Sequence, residues 1–244
     1  MAGHSHWAGI KHKKAAQDKK RSKYFSKFSK AIMIAAREGG GDPEANLALR
    51  YAIDRAKAGN MPNDGIDRAI KKATGELGDK QFVEVIYEGY GPGGVAIMAE
   101  AVTDNRNRTA PEMRNIFSKY GGNLGNQGSV QFMFERRGLI AVPLEVGDED
   151  TVMMTVLEAG AEDVTKGEEA WEITTTPQNF DTVKKALVAE GWELTTAELA
   201  WVCDNEVTPA DAKDAAKIQS LLDDLEDNDD VQAVHTNFAP PPEA

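Results

Sequence analysis

Over residues 17–38 apolar side chains recur every three or four positions, at Tyr24, Phe25, Phe28, Ile32 and Ala35. At about 100° per residue this spacing draws one stripe on a helix, and Lys20, Lys23, Lys27 and Lys30 fall on a separate stripe. Gly39-Gly40-Gly41 stops the helix. Asp42-Pro43 predicts the N-cap and first position of the next, Gly59-Asn60 predicts its end, and residues 66–73 read as a third short helix halted by Gly75. Residues 1–16 show no apolar periodicity beyond Trp7 and Ile10 and read as a mobile arm. Residues 1–78 are therefore expected to form a basic helical domain of three helices with an arm in front.

The period then shortens to two. Residues 82–87 and 95–103 read as strands of a hairpin joined at Gly89-Tyr90-Gly91-Pro92-Gly93-Gly94. Thr109-Ala110-Pro111-Glu112 has the spacing of a capping box with an early proline, predicting a helix from there to Tyr120. A strand is expected over 129–135. Residues 138–204 then run strand, helix, strand, strand, helix, strand, which is the ferredoxin-like split βαβ order. A helix opening at Thr208-Pro209 and a strand over 231–238 lack partners of their own, so the chain is expected to return and finish the middle domain. The predicted class is α+β: an N-terminal three-helix domain followed by two ferredoxin-like α/β domains. The middle one combines 79–137 with 205–240, and the last, 138–204, is inserted into it.

The 244 residues are 41% hydrophobic and contain no apolar run near the roughly 18 residues of a membrane-spanning helix. A lone cysteine, Cys203, cannot form an internal disulfide, and this points to a reducing cytoplasm. The basic start lacks the apolar core of a secretory leader and reads as part of the mature protein. The net charge of −12 would argue against a nucleic-acid partner if it were evenly spread. It is not: Lys+Arg against Asp+Glu count 17 to 9 over residues 1–80, 6 to 6 over 81–137 and 5 to 25 over 138–244. A basic head precedes a strongly acidic half, whose charge is expected to repel phosphate and to disfavour docking poses other than the one presenting the head.

Gly89-x-Gly91-x-x-Gly94 matches a dinucleotide fingerprint only as a string, because a strand follows where a helix N-terminus would have to face a pyrophosphate. No set of nucleophile, base and oxyanion donors is discernible, so neither catalysis nor a cofactor is expected. The acidic stretch 223–230 lacks the mid-loop glycine and distal glutamate of a calcium loop and reads as a solvated helix end. With Met1 removed, Ala2-Gly3-His4 could wrap Cu(II) or Ni(II), but chance chelation is the better reading and no metal is assigned.

The strongest chemistry lies in the arm and first helix. Lys11, Lys13, Lys14, Lys19, Lys20, Arg21, Lys23, Lys27 and Lys30 are accompanied by a single anion, Asp18. Flexible lysines suit phosphate contact without sequence readout. Trp7, Tyr24 and Phe25 among them could stack on unpaired bases, although core packing explains Tyr24 and Phe25 equally and is the reading for Phe28. A second cluster is the polar loop carrying Arg106 and Arg108, followed by Arg114. Phosphate binding and simple turn chemistry account for it about equally. Arg136-Arg137 is a weaker third.

The strings Met1-Ala2-Gly3-His4-Ser5-x-Trp7, Ile10-Lys11-His12-Lys13-Lys14, Ala36-Arg37-Glu38-Gly39-Gly40-Gly41-Asp42-Pro43, Tyr87-Glu88-Gly89-Tyr90-Gly91-Pro92-Gly93-Gly94, Thr103-Asp104-Asn105-Arg106-Asn107-Arg108-Thr109 and Gly121-Gly122-Asn123-Leu124-Gly125 resemble the YebC family in one order across the whole chain. That family includes bacterial proteins described as transcriptional regulators and the mitochondrial translational activator of cytochrome oxidase subunit I. The resemblance implies three domains, no catalytic activity and a cytoplasmic role in gene expression. The implied partner is nucleic acid, with neither a membrane nor a small-molecule substrate. A DNA-binding transcriptional regulator is the reading adopted. The alternative is a ribosome-associated translation factor binding RNA, acting among other places at proline-rich stretches. A scaffold protein that binds no nucleic acid is the third.

Overall fold

The computed structural model describes residues 21–75 and 82–241, with side chains from Lys23 onward. The arm, and with it Trp7 and the Ala2-Gly3-His4 start, lies outside the described residues. Three helices come first: α1 (Arg21–Gly39), α2 (Leu47–Ala58) and α3 (Asn63–Ala73). Phe28, Ile32, Leu49, Ile53, Ile66 and Ala69 interlock at their centre, and Tyr24 and Phe25 pack against that core. The two aromatics thus belong to the stripe that α1 buries.

The second helix does not start at Asp42-Pro43, which form a turn. It starts after Asn46, whose side chain accepts from the amide of Leu49 at 3.1 Å and donates to the carbonyls of Ala35 at 2.7 Å and Gly40 at 2.8 Å. One buried amide therefore caps α2 and ties down the end of α1. Gly39 is required beside it, since a Cβ there would come within 2.5 Å of the Asn46 side-chain nitrogen.

The middle sheet has the order β3-β1-β2-β8, all antiparallel, built from β1 (Val83–Tyr90), β2 (Ala96–Thr103), β3 (Asn123–Leu124) and β8 (Val231–Thr236). Helices α4 (Arg106–Lys119) and α7 (Ala212–Asp227) share one core with it, in which Met113, Phe117, Ile218, Leu221 and Leu225 meet Ile97, Ala99 and Val231. The chain leaves this two-layer arrangement once, after Met133, and rejoins it at Cys203.

Residues Phe134–Val202 form a separate compact unit containing β4 (Glu135–Pro143), α5 (Glu149–Glu158), β5 (Asp163–Lys166), β6 (Ala170–Thr175), α6 (Phe180–Ala189) and β7 (Thr196–Val202). Its sheet order, β5-β6-β4-β7, is that of a ferredoxin-like fold, so the inserted α/β domain has the topology its element order implies.

Two elements of the middle domain differ from expectation. The capping box at Thr109 is not used: α4 begins at Arg106 behind Asn105, whose side chain accepts from the amide of Arg108 at 3.2 Å. Thr109 is instead buried within the helix and donates to the carboxylate of Asp230 at 2.7 Å. The strand expected over 129–135 is replaced up to Met133 by a loop with a short 3₁₀ turn (Gln131–Met133). Two amides that would have joined a ladder, those of Val130 and Gln131, are taken at 2.8 Å by the buried Glu88, which also accepts from Gly128 at 2.6 Å.

Candidate nucleic-acid interface

Lys23, Lys27 and Lys30 lie one turn apart on α1 and converge on the C-terminal end of α7. The Lys27 ammonium donates to the Glu226 carbonyl at 2.5 Å, and that of Lys30 donates to the Asp229 carbonyl at 2.9 Å and the Asp230 carboxylate at 2.7 Å. Lys23 lies 3.4 Å from Asp229. A helix C-terminus presents unpaired carbonyls and the negative end of its dipole, so a row of lysines is its natural cover. Lys27 is only 7% exposed. Burial, helped by the neighbouring charge of Lys23, brings its pKa down to about 8 against the pull of Glu226, Asp229 and Asp227.

Asp230 is the hub of this arrangement. It is 3% exposed and takes Lys30 on Oδ1 and both Arg108, at 2.6 Å, and Thr109 on Oδ2. Burial alone would raise its pKa, but these three donors prevail and bring it down to about 2. The acidic stretch read as a solvated helix end thus ends in a buried carboxylate. No spacing rule marks Asp230, because its partners come from two distant parts of the chain, Lys30 on α1 and the adjacent pair Arg108 and Thr109 on α4.

The predicted cations therefore separate into groups. Lys27, Lys30 and, at its guanidinium, Arg108 hold intramolecular partners. Arg108 also lies 3.4 Å from Asp104 and remains 47% exposed along its side chain. Arg106 and Arg114 are exposed, Arg106 reaching the Glu84 carbonyl at 3.4 Å. Arg137 pairs with Glu135 at 2.7 Å, and Arg136 lies over the Trp201 ring. Lys11, Lys13, Lys14, Lys19 and Lys20 lie outside the described residues, as does the side chain of Arg21.

Helices α2 and α3 add cations that the lysine stripe of α1 does not announce, of which Arg55, Lys57, Arg68 and Lys71 are exposed. On α3 their placement follows the helix dipole, with Asp64 in the first turn and Lys71 and Lys72 in the last. Among the described residues no group of three or more His, Cys, Asp or Glu side chains is arranged to hold a metal, and no helix is long and apolar enough to cross a membrane.

Comparison with known proteins bears on the whole chain. Residues 5–76 match the model of the TACO1/YebC protein N-terminal domain, and residues 82–238 match that of the TACO1/YebC second and third domain. A probable transcriptional regulatory protein of Halothermothrix orenii is 54% identical, covering 100% of this chain and 97% of its own length. One from Persephonella marina is also 54% identical, covering 98% and 96%. A crystal structure of a conserved hypothetical protein from Aquifex aeolicus superposes with a TM-score of 0.87 at 50% identity, covering 98% of both chains.

Proposed function

The chain belongs to the TACO1/YebC family, and from that premise we propose that it regulates gene expression by binding nucleic acid, with DNA the target and transcription the process. The relatives' description as transcriptional regulatory proteins supports a regulatory role. The observation that carries nucleic-acid binding is the segregation of charge, 17 cations to 9 anions over residues 1–80 of a chain whose net charge is −12. Phosphate is the ligand that such a segment attracts, and release of counterions drives the association. On this reading the arm lysines with Arg21, and the exposed Arg106 and Arg114, meet the backbone. Lys27 and Lys30 serve by fixing α1, and no catalytic step is involved. The site of action is the cytoplasm, in keeping with a single, buried cysteine.

A second reading, RNA as the target and translation as the process, is favoured by one feature: the uncharged loop after α4, which is suited to unpaired bases. Crosslinking in cells followed by sequencing of both attached DNA and attached RNA tests the choice. Enrichment of defined DNA sites is the expected result, dominance of ribosomal RNA moves the function to translation, and recovery of neither overturns nucleic-acid binding.

A further inference from the structure

Phe132 is 76% exposed, the most exposed of the large apolar side chains among the described residues. A single exposed apolar residue is ordinary on a protein surface. What distinguishes this one is the stiffness of its support. Glu88, 2% exposed, spends both carboxylate oxygens on the amides of Gly128, Val130 and Gln131, the last directly preceding Phe132. The Tyr90 hydroxyl donates to the Ser129 carbonyl at 2.9 Å, the Gly125 amide to the Glu88 carbonyl at 2.7 Å, and the Met133 amide to the Val130 carbonyl at 2.9 Å. Val130 is fully buried. At the other end, Gly122 lies so close to β1 that a Cβ would stand 2.6 Å from the Tyr90 carbonyl oxygen. A buried carboxylate and a core valine thus hold a large ring in water.

The composition of the segment that carries the ring narrows what it meets. Residues 120–134 contain no Lys, Arg, Asp or Glu, although 28% of the chain is charged. The loop instead exposes the side-chain amides of Asn123, Asn126 and Gln127. A segment without cations offers phosphate no charge to neutralise, and one exposed ring falls short of the contiguous apolar patch that marks a protein interface. A flat ring on a segment that also exposes neutral donors and acceptors suits a nucleobase, stacked on its face and hydrogen-bonded at its edge. Bases within a duplex cannot offer a face, so the ligand must contain an unpaired one.

We propose that the Glu88-pinned loop carrying Phe132 is a binding site for an unpaired nucleobase of a single-stranded nucleic acid, with Phe132 as the stacking platform. The inference rests on the reading of the chain as a nucleic-acid binder. It adds a site on the middle domain.

The test uses the full chain with RNA and DNA single strands carrying 2-aminopurine, and a duplex of the same sequence, at fixed salt. Phe132→Ala is expected to weaken single-strand binding by about 5- to 100-fold and to abolish the change in 2-aminopurine fluorescence, while Phe132→Trp preserves both. The slope of log K against log salt and the affinity for duplex are expected to stay the same, because the ring neutralises no phosphate. The thermal midpoint is expected to hold, since the ring is in water. The strand showing the larger loss identifies the ligand as RNA or DNA. Single-strand binding and fluorescence unchanged in Phe132→Ala overturn the inference, as does a wild-type chain that binds duplex but no single strand; both leave the broader reading intact. A chain that binds none of the three overturns both.

Discussion

Arg108 and Asp230 stand 122 positions apart in the chain, and the guanidinium Nη2 lies 2.6 Å from the carboxylate Oδ2. The same carboxylate receives Lys30 from α1 and Thr109 from α4, so one buried anion joins the helical part of the chain to both layers of the middle domain. Replacing it strands a half-buried lysine and a buried hydroxyl.

Asp230→Ala is expected to lower stability by about 2–4 kcal/mol, the range for removing one member of a largely buried, hydrogen-bonded charge cluster. Asp229→Asn changes a side chain that is 76% exposed, and is expected to stay within about 0.5 kcal/mol. Urea denaturation of the two variants at neutral pH checks the contrast. Equal midpoints would show that the buried hub contributes no more than its exposed neighbour.

Acid titration follows from the same group. An unfolded aspartate titrates near about 3.9, and in the folded chain Asp230 is held down to about 2. Its contribution is complete above the unfolded value and is lost as pH falls from there toward 2. The fall in stability over that window is expected to be shallower in Asp230→Asn than in the wild type. Parallel curves would mean that the carboxylate is not held in its charged form.

Glu88→Gln is expected to loosen the 128–133 loop without unfolding the chain, since a neutral amide is a weaker acceptor for the three backbone donors. Hydrogen exchange should accelerate at Gly128, Val130 and Gln131 while Ile97 and Val234 in β2 and β8 keep their protection. Unchanged exchange in the loop would contradict the role given to Glu88.

Periodicity made the elements legible where local rules decide them. The α1 stripe, the β1–β2 hairpin and the βαββαβ order of the insert all follow from neighbours a few residues apart. Helix starts were less legible, because contacts outside the helix decide which candidate caps it: Asn46 reaches back to Ala35, and Thr109 is drawn to Asp230, leaving the cap to Asn105. The same applies to the candidate site. The lysine stripe of α1 was visible, but its partners at Glu226, Asp229 and Asp230 lie about 200 residues away. The acidic half, taken as a repellent for phosphate, also neutralises part of the basic head from within. Phe132 left no signal at all, since its exposure depends on Glu88 diverting the amides of a segment with the look of a strand.

Arg106 and Arg114 separate binding from stability. Changing both to Gln is expected to weaken nucleic-acid binding and to move stability by no more than about 0.5 kcal/mol each, as for exposed substitutions generally. Lys27→Gln with Lys30→Gln is expected to do the reverse, lowering the thermal midpoint through the α7 terminus. Calorimetry paired with binding isotherms distinguishes them, and a large thermal loss in the arginine variant would assign those residues to the fold.

Phosphate binding by the basic head is read out by the salt dependence of affinity. The full chain is compared with a variant carrying Gln at Lys11, Lys13, Lys14, Lys19 and Lys20, between about 50 and 200 mM salt, where phosphate binding expresses itself strongly. The variant is expected to bind more weakly and with a shallower slope of log K against log salt, by about 0.7–0.9 for each phosphate that is no longer neutralised. An affinity and slope equal to those of the wild type would contradict phosphate binding by the basic head.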